Sequence, residues 1–299
     1  MQLAEKLYNL KVESDKESSW TIEEMLANID LFPTIWEEAD KDYVCQNLYF
    51  ETGNEAAEQV EVIKSYLESQ AENWGLINSY KVCYEEIAKE DWSEVWKKFF
   101  HTRRVSDRFV IKPSWEEYKA EQGDVVLEID PGMSFGTGQH GTTQACLQFI
   151  DELCAGGEIE TILDAGTGSG ILSMGAAKLG IPNITAFDYD AEAVRIAGEN
   201  LQLAGVADKV KLSVADVAEW PTDVQYDLVI ANILCVVLIA NADVLAKVVK
   251  PGAYIILAGI LDSQYDELRQ TFEELGMKEI RNTQIKEWKS GLFQSTVNS

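Results

Sequence analysis

Along the first ninety positions the spacing of apolar residues changes period several times. Tyr8 to Val12 alternates apolar and polar side chains, as a half-buried strand does. Trp20 to Ile29 repeats its apolar residues at helical spacing, and Thr21 with Glu24 reads as a capping box at its start. Thr34 to Glu38 and Tyr43 to Phe50 read as two strands around the polar turn Ala39-Asp40-Lys41-Asp42. Asn54 opens a long helical pattern through Ala56, Val60, Ile63, Leu67 and Ala71, and Ser79 to Ile87 returns to a strand. Strand, helix, strand, strand, helix, strand is the order of a small ferredoxin-like α+β domain. That fold serves many functions, so it implies an architecture only.

Residues 91–125 read as a connector. Asp91 to Phe100 has the pattern of an aromatic helix, with Trp92, Trp96, Phe99 and Phe100. From Thr161 onward strands and helices alternate. Thr161 to Ala165, Ile184 to Phe187, Val210 to Val214, Asp227 to Ala231 and Tyr254 to Ala258 read as strands. Ile171 to Leu179, Ala191 to Ala204 and about Val237 to Val249 read as helices. Lys278 to Trp288 and Leu292 to Val297 are strand-like and end the chain. Such alternation implies an α/β domain, a Rossmann-like sheet of parallel strands with right-handed crossovers and helices on both faces. The expected division is therefore 1–90, 91–125 and 126–299.

Composition narrows the class. The 299 residues are 46% hydrophobic, enough for a packed core. They carry 51 acidic against 25 basic side chains, a formal net charge of −26. A chain so acidic is not expected to hold nucleic acid by bulk charge, nor to dock on anionic lipid. It does suit a basic protein partner, which a negative field steers in. Residues 1–90 hold 20 acidic and 7 basic side chains and are about twice as acidic per residue as the rest. Lys97, Lys98, Arg103, Arg104, Arg108 and Lys112 form a local basic patch, expected to pair with the chain's own acids. Five scattered cysteines without a C-x-x-C pair suggest neither a disulfide framework nor a metal site. Met1 to Leu10 lacks the apolar run of a signal peptide, and no stretch is apolar enough to span a membrane. The expected compartment is the cytoplasm.

Three strand ends carry the candidate chemistry. Ile162 to Gly170 runs from a strand through Gly166, Gly168 and Gly170 into a helix. Glycines there let a ligand approach the backbone, beside the amides that open the helix. The spacing is G-x-G-x-G, not the G-x-G-x-x-G of dinucleotide enzymes. Asp164 places a negative charge where a phosphate would sit, and suits a ligand bearing an amine and a sulfonium. S-adenosylmethionine has both. Asp188, ending the second strand, is placed to accept hydrogen bonds from ribose hydroxyls. Asp216, ending the third, is placed for an adenine amino group, although either aspartate also suits a helix N-cap. Asn232, ending the fourth, can accept an N–H from an amine nucleophile and orient its lone pair; turn formation is its plainer role. Asp130 to Thr143 is a second glycine-rich segment, suited to folding over a ligand around Phe135. His140 within it is a candidate base or a structural histidine.

Asp130 to Thr143 resembles the segment D-P-G-x-A-F-G-T-G-x-H-x-T-T of the bacterial ribosomal protein L-eleven methyltransferase family (PrmA). Asp164 to Gly170, Asp188 with Asp190, and Ala231-Asn232-Ile233-Leu234 follow in that family's order. So do the upstream stretches Asp91 to Trp96 and Pro113 to Glu116, and the downstream Ala258 to Leu261 and Glu287-Trp288. Ser134 and Gly141 depart from the family's usual Ala and Pro. The resemblance spans nearly the whole chain. It implies a class I S-adenosylmethionine-dependent methyltransferase whose first domain recognises a basic ribosomal protein. It implies methyl transfer to lysine ε-amines and an N-terminal α-amine. Cofactor contacts are implied at Thr143, Gly166, Asp188 and Asn232, with Phe135, Gly138 and His140 nearby. Asp164, Gly168 and Asp216 join this set from the strand-end reading, and no metal is implied. Two other readings remain: a methyltransferase for a different protein or small-molecule amine, and a binding module on a degenerate fold of the same kind.

Overall fold

The computed structural model describes residues 6–16, 18–27, 29, 31, 33–37, 42–50, 52–74, 76, 80–88, 100–130, 138 and 140–296. The chain divides into two compact units, Met1–Phe99 and Phe100–Ser299. The first contains β1 (Lys6–Asp15), α1 (Ser19–Ala27), β2 (Thr34–Glu37), β3 (Tyr43–Phe50), α2 (Gly53–Trp74) and β4 (Tyr80–Ala88). Its sheet runs β2-β3-β1-β4 with every neighbouring pair antiparallel, which is the ferredoxin-like order. Leu10, Val12 and Leu48 of the sheet pack with Ile22, Met25, Leu26, Ile63 and Leu67 of the helices in one apolar cluster. Helix α1 begins before the expected capping box. The Ser18 N–H donates to Asp15 Oδ1 at 2.7 Å, so Asp15 organises the start and Thr21 lies inside the helix.

The second unit starts earlier than residue 126. Much of the expected connector folds into it as β5 (Arg103–Arg104) and β6 (Phe109–Lys112), which form a small sheet with β7 (Val125–Glu128). The reason is apolar content: Phe109, Ile111 and Leu127 are buried in that unit's main core. The expected helix from Asp91 lies largely outside the described residues. Three described members of the basic patch pair internally. Arg104 meets Asp124 at 2.7 Å, Lys112 meets Glu128 at 2.6 Å, and Arg108 clasps Asp151.

Next comes α3 (Gly141–Cys154), then β8 (Thr161–Ala165), α4 (Ile171–Lys178), β9 (Asn183–Asp188), α5 (Ala191–Leu203) and β10 (Val210–Val214). The chain continues with β11 (Tyr226–Asn232), α6 (Cys235–Ala240), α7 (Ala242–Lys247), β12 (Val249–Leu261), α8 (Asp262–Glu274), β13 (Met277–Ile285) and β14 (Trp288–Ser295). The seven strands run β10-β9-β8-β11-β12-β14-β13. The first five are mutually parallel and the last two form an antiparallel hairpin against β12. Alternate residues fill the two faces. Ile162, Leu228, Ile230 and Ile256 enter one apolar cluster, while Leu163, Val229, Ala231, Ile255 and Leu257 enter the other.

Two expected elements change shape. The helix expected over about Val237 to Val249 breaks at Asn241, whose side-chain amide donates to the Val237 carbonyl at 2.9 Å, and Val249 already opens β12. The strand expected over Lys278 to Trp288 reverses at Lys286, which adopts a left-handed φ of 56° and makes a tight hairpin turn. Helices α3 and α8 are additional to the expected set.

Candidate active site

From β8 the chain advances on one side to β9 and β10, then returns to the other side as β11. Such a switch point opens a crevice at the carboxyl ends of the strands. Residue pairing places the candidates there. Asp164 lies beside Ile230, Ala165 beside Ala231, and Asn232 ends the same strand one residue later. Helix α3 leads into β8 and runs back along the sheet, so its first turn, with Thr142 and Thr143, lies at this edge.

The glycine turn is built as the spacing suggests. Gly166 takes φ 76°, a region that L side chains rarely adopt. A Cβ there would overlap Ile233 Cγ2. The Gly166 and Thr167 N–H groups both donate to the Phe187 carbonyl at 2.9 Å, which ties the turn to β9.

Asp164 is fully buried. Its Oδ2 accepts from the Thr167 hydroxyl at 2.7 Å and the Ser173 hydroxyl at 2.6 Å. Its Oδ1 has no hydrogen-bond partner among the described residues. Burial raises its pKa, and the two hydroxyls oppose that rise by stabilising the charged form. Asp188 is also buried. Its Oδ2 accepts from the Gly168 N–H at 2.9 Å and its Oδ1 from the Asp190 N–H at 3.1 Å. A carboxylate oxygen has two acceptor sites, so each keeps one for a ligand hydroxyl. Asp216 is exposed and caps a short 3-10 turn (Val217–Glu219), its Oδ1 accepting from the Ala218 N–H at 2.9 Å. Its N-cap role is therefore realised.

Asn232 and Thr143 carry two more orphaned atoms. Asn232 is 8% exposed and Thr143 0% exposed; among the described residues neither Asn232 Oδ1 nor Thr143 Oγ1 has a hydrogen-bond partner. Buried polar atoms are nearly always hydrogen-bonded. Three orphans at Thr143, Asp164 and Asn232 mark a place built for a polar ligand. A nucleoside with an amino-acid tail, as in S-adenosylmethionine, fits this set: its amine and hydroxyls supply the missing donors.

His140 is the N-cap residue of α3. Its Nδ1 lies 2.8 Å from the Thr142 hydroxyl, and its ring meets Trp288 edge-on with centroids 4.6 Å apart. Burial, helped by the Lys286 charge, pushes its pKa down to about 4, so at neutral pH the ring is uncharged. Gly138 takes φ 79° with the Ile111 side chain against it. Phe135 lies outside the described residues. Two contributors lie outside the motifs visible in the sequence. Ser173 completes the Asp164 hydrogen bonds, and Ile285 packs on Gly141 from the hairpin. Asp130 takes the Ser114 N–H at 2.7 Å and hydroxyl at 2.8 Å. Asp164 at the strand end, Thr167 in the glycine turn and Ser173 in the first helical turn are the one local signal for the Asp164 hydrogen bonds.

A family model described as "Ribosomal protein L11 methyltransferase (PrmA)" matches residues 6–296. The ribosomal protein L11 methyltransferase of Syntrophomonas wolfei is 40% identical over 237 residues, covering 79% of this chain and 75% of that protein. Its counterpart from Citrifermentans bemidjiense is 45% identical over 215 residues, covering 71% and 69%. Among solved structures, the ribosomal protein L11 methylase of Lactobacillus delbrueckii subsp. bulgaricus aligns with a TM-score of 0.61 at 28% identity. That alignment covers 66% of this chain and all of the other. On a match of this extent, the chain belongs to the ribosomal protein L11 methyltransferase family.

Proposed function

We propose that this chain methylates amines of ribosomal protein L11, lysine ε-amines or the N-terminal α-amine, using S-adenosylmethionine. The observation that carries this reading is the trio of buried polar atoms at Thr143, Asp164 and Asn232 that have no partner among the described residues, together with the Gly166 turn. When bound, S-adenosylmethionine supplies an electrophilic methyl carbon on a sulfonium. Asp188 holds the ribose and Asp164 the amino-acid end. Asn232 Oδ1 accepts one N–H of the attacking amine and aims its lone pair at the methyl group. A free lysine has a pKa near 10.4, so the amine must shed a proton to react. The buried setting around Asn232 disfavours the ammonium form and promotes that loss. His140 is a structural histidine in this scheme. Its Nδ1 is paired with Thr142 and its ring rests on Trp288. Positioning supplies most of the acceleration.

The acidic first unit is the proposed recognition domain for the basic substrate. The test is transfer of labelled methyl groups from S-adenosylmethionine into a mixture of ribosomal proteins. One labelled small basic band, identified as L11, supports the reading. Label on other proteins or on small amines instead favours a different substrate, and no label at all favours a binding role.

A further inference from the structure

Asn232 ends β11, and the next residue, Ile233, is held from two sides. On one side is Gly166 of the glycine turn. A Cβ built there would overlap Ile233 Cγ2, and its next neighbour would be Ile233 Cβ at 3.7 Å. The Ile233 side chain thus lies directly on the Gly166 α-carbon. On the other side is Gly259 of β12, with φ 85°. A Cβ there would overlap the Ile233 carbonyl oxygen, with the carbonyl carbon at 2.9 Å and the amide nitrogen at 3.2 Å. Gly259 lies where the β12–β14 register shifts between Leu257 and Ile260, a local bulge that brings its backbone against Ile233. One strand end therefore fixes the Ile233 backbone and another receives its side chain.

The branch at Cβ leaves isoleucine few side-chain rotamers. Its body packs partly into the apolar cluster behind the sheet. Asn232 cannot tilt without moving Ile233, and Ile233 meets a glycine backbone in either direction. We propose that Ile233 is a positioning residue, clamped between Gly166 and Gly259, which sets the Asn232 carboxamide relative to the glycine turn. This rests on the proposed methyl transfer with Asn232 orienting the amine. Ile233 then controls how the attacking amine lines up with the methyl group far more than how tightly the donor binds.

The test compares Ile233→Ala, Ile233→Leu and Ile233→Val for turnover on L11 and for S-adenosylmethionine affinity by calorimetry. Ile233→Ala should lower kcat about tenfold or more while donor affinity stays within about threefold. Ile233→Leu keeps the volume but moves the branch; it should fold as the wild type does and still lose kcat. Ile233→Val keeps the branch and should restore most of the rate. Wild-type kcat in both Ile233→Ala and Ile233→Leu overturns the proposal, and so does a loss of donor affinity matching the loss of kcat. A wild-type protein that transfers no methyl group overturns the underlying reading of function instead, before any variant is compared.

Discussion

Asp188 Oδ2 accepts the backbone N–H of Gly168 at 2.9 Å. This bond joins the end of β9 to the middle of the glycine turn, so the carboxylate proposed to hold the ribose also shapes the turn. Asp188→Ala removes two hydrogen bonds to a charged acceptor and frees the turn. Donor affinity should fall by about tenfold to a hundredfold. Calorimetric titration checks this, and wild-type affinity in the variant would remove Asp188 from the site.

Asp164 is a structural hub as well as a proposed ligand group. Its Oδ2 takes both the Thr167 and Ser173 hydroxyls inside the protein. Asp164→Ala strands two buried hydroxyls, each at a cost of about 1–3 kcal/mol. Urea denaturation should show a clear drop in stability, smaller for Asp164→Asn, which keeps an acceptor. Equal stability in Asp164→Ala and wild type would show that the hydroxyls find other partners.

His140 gives a pH dependence with a fixed sign. Its folded pKa is pushed down to about 4 from an ordinary 6.5. Between those values the unfolded chain binds a proton that the folded chain resists, so the unfolded state gains as pH falls. The contribution of the neutral ring to stability is complete above about 6.5, declines toward 4 and levels off below. Denaturation midpoints measured across this window should therefore fall more steeply for the wild type than for His140→Gln. Parallel curves would contradict the part-buried, neutral histidine.

The acidity of the first ninety residues bears on encounter with the substrate. If that charge steers a basic protein, raising salt from low to high ionic strength should cut kcat/KM for L11 several-fold. Donor affinity should barely change over the same range. A salt-independent kcat/KM would leave the surplus charge as a contribution to solubility alone.

The parallel core was legible in the sequence because each strand carries its own signal. Ile162 to Gly170 spells strand, turn and helix within nine residues, and the glycines stand where φ is positive. Helix α8 was less visible because only Tyr265, Leu268 and Phe272 are buried among many charged residues. Helix α3 was hidden by its opening, where Gly141, Thr142 and Thr143 read as loop. The start of the second unit was misplaced because β5 and β6 are short, and their burial depends on a distant partner: Arg108 is anchored by Asp151, 43 positions away. At the site, Asp164, Asp188 and Asn232 could be placed from strand ends. The contacts of Ile233 with Gly166 and Gly259, and of His140 with Trp288, arise only when separate strands come together. Spacing along the chain does not encode them.

The most direct measurement is the intact mass of purified L11 after incubation with S-adenosylmethionine and either the wild-type protein or Asn232→Ala. The account predicts mass increments of whole methyl transfers with the wild type. With Asn232→Ala it predicts a rate lower by about a hundredfold, while S-adenosylmethionine binding stays measurable. Unmodified L11 with the wild type, or equal rates for the two proteins, would contradict it.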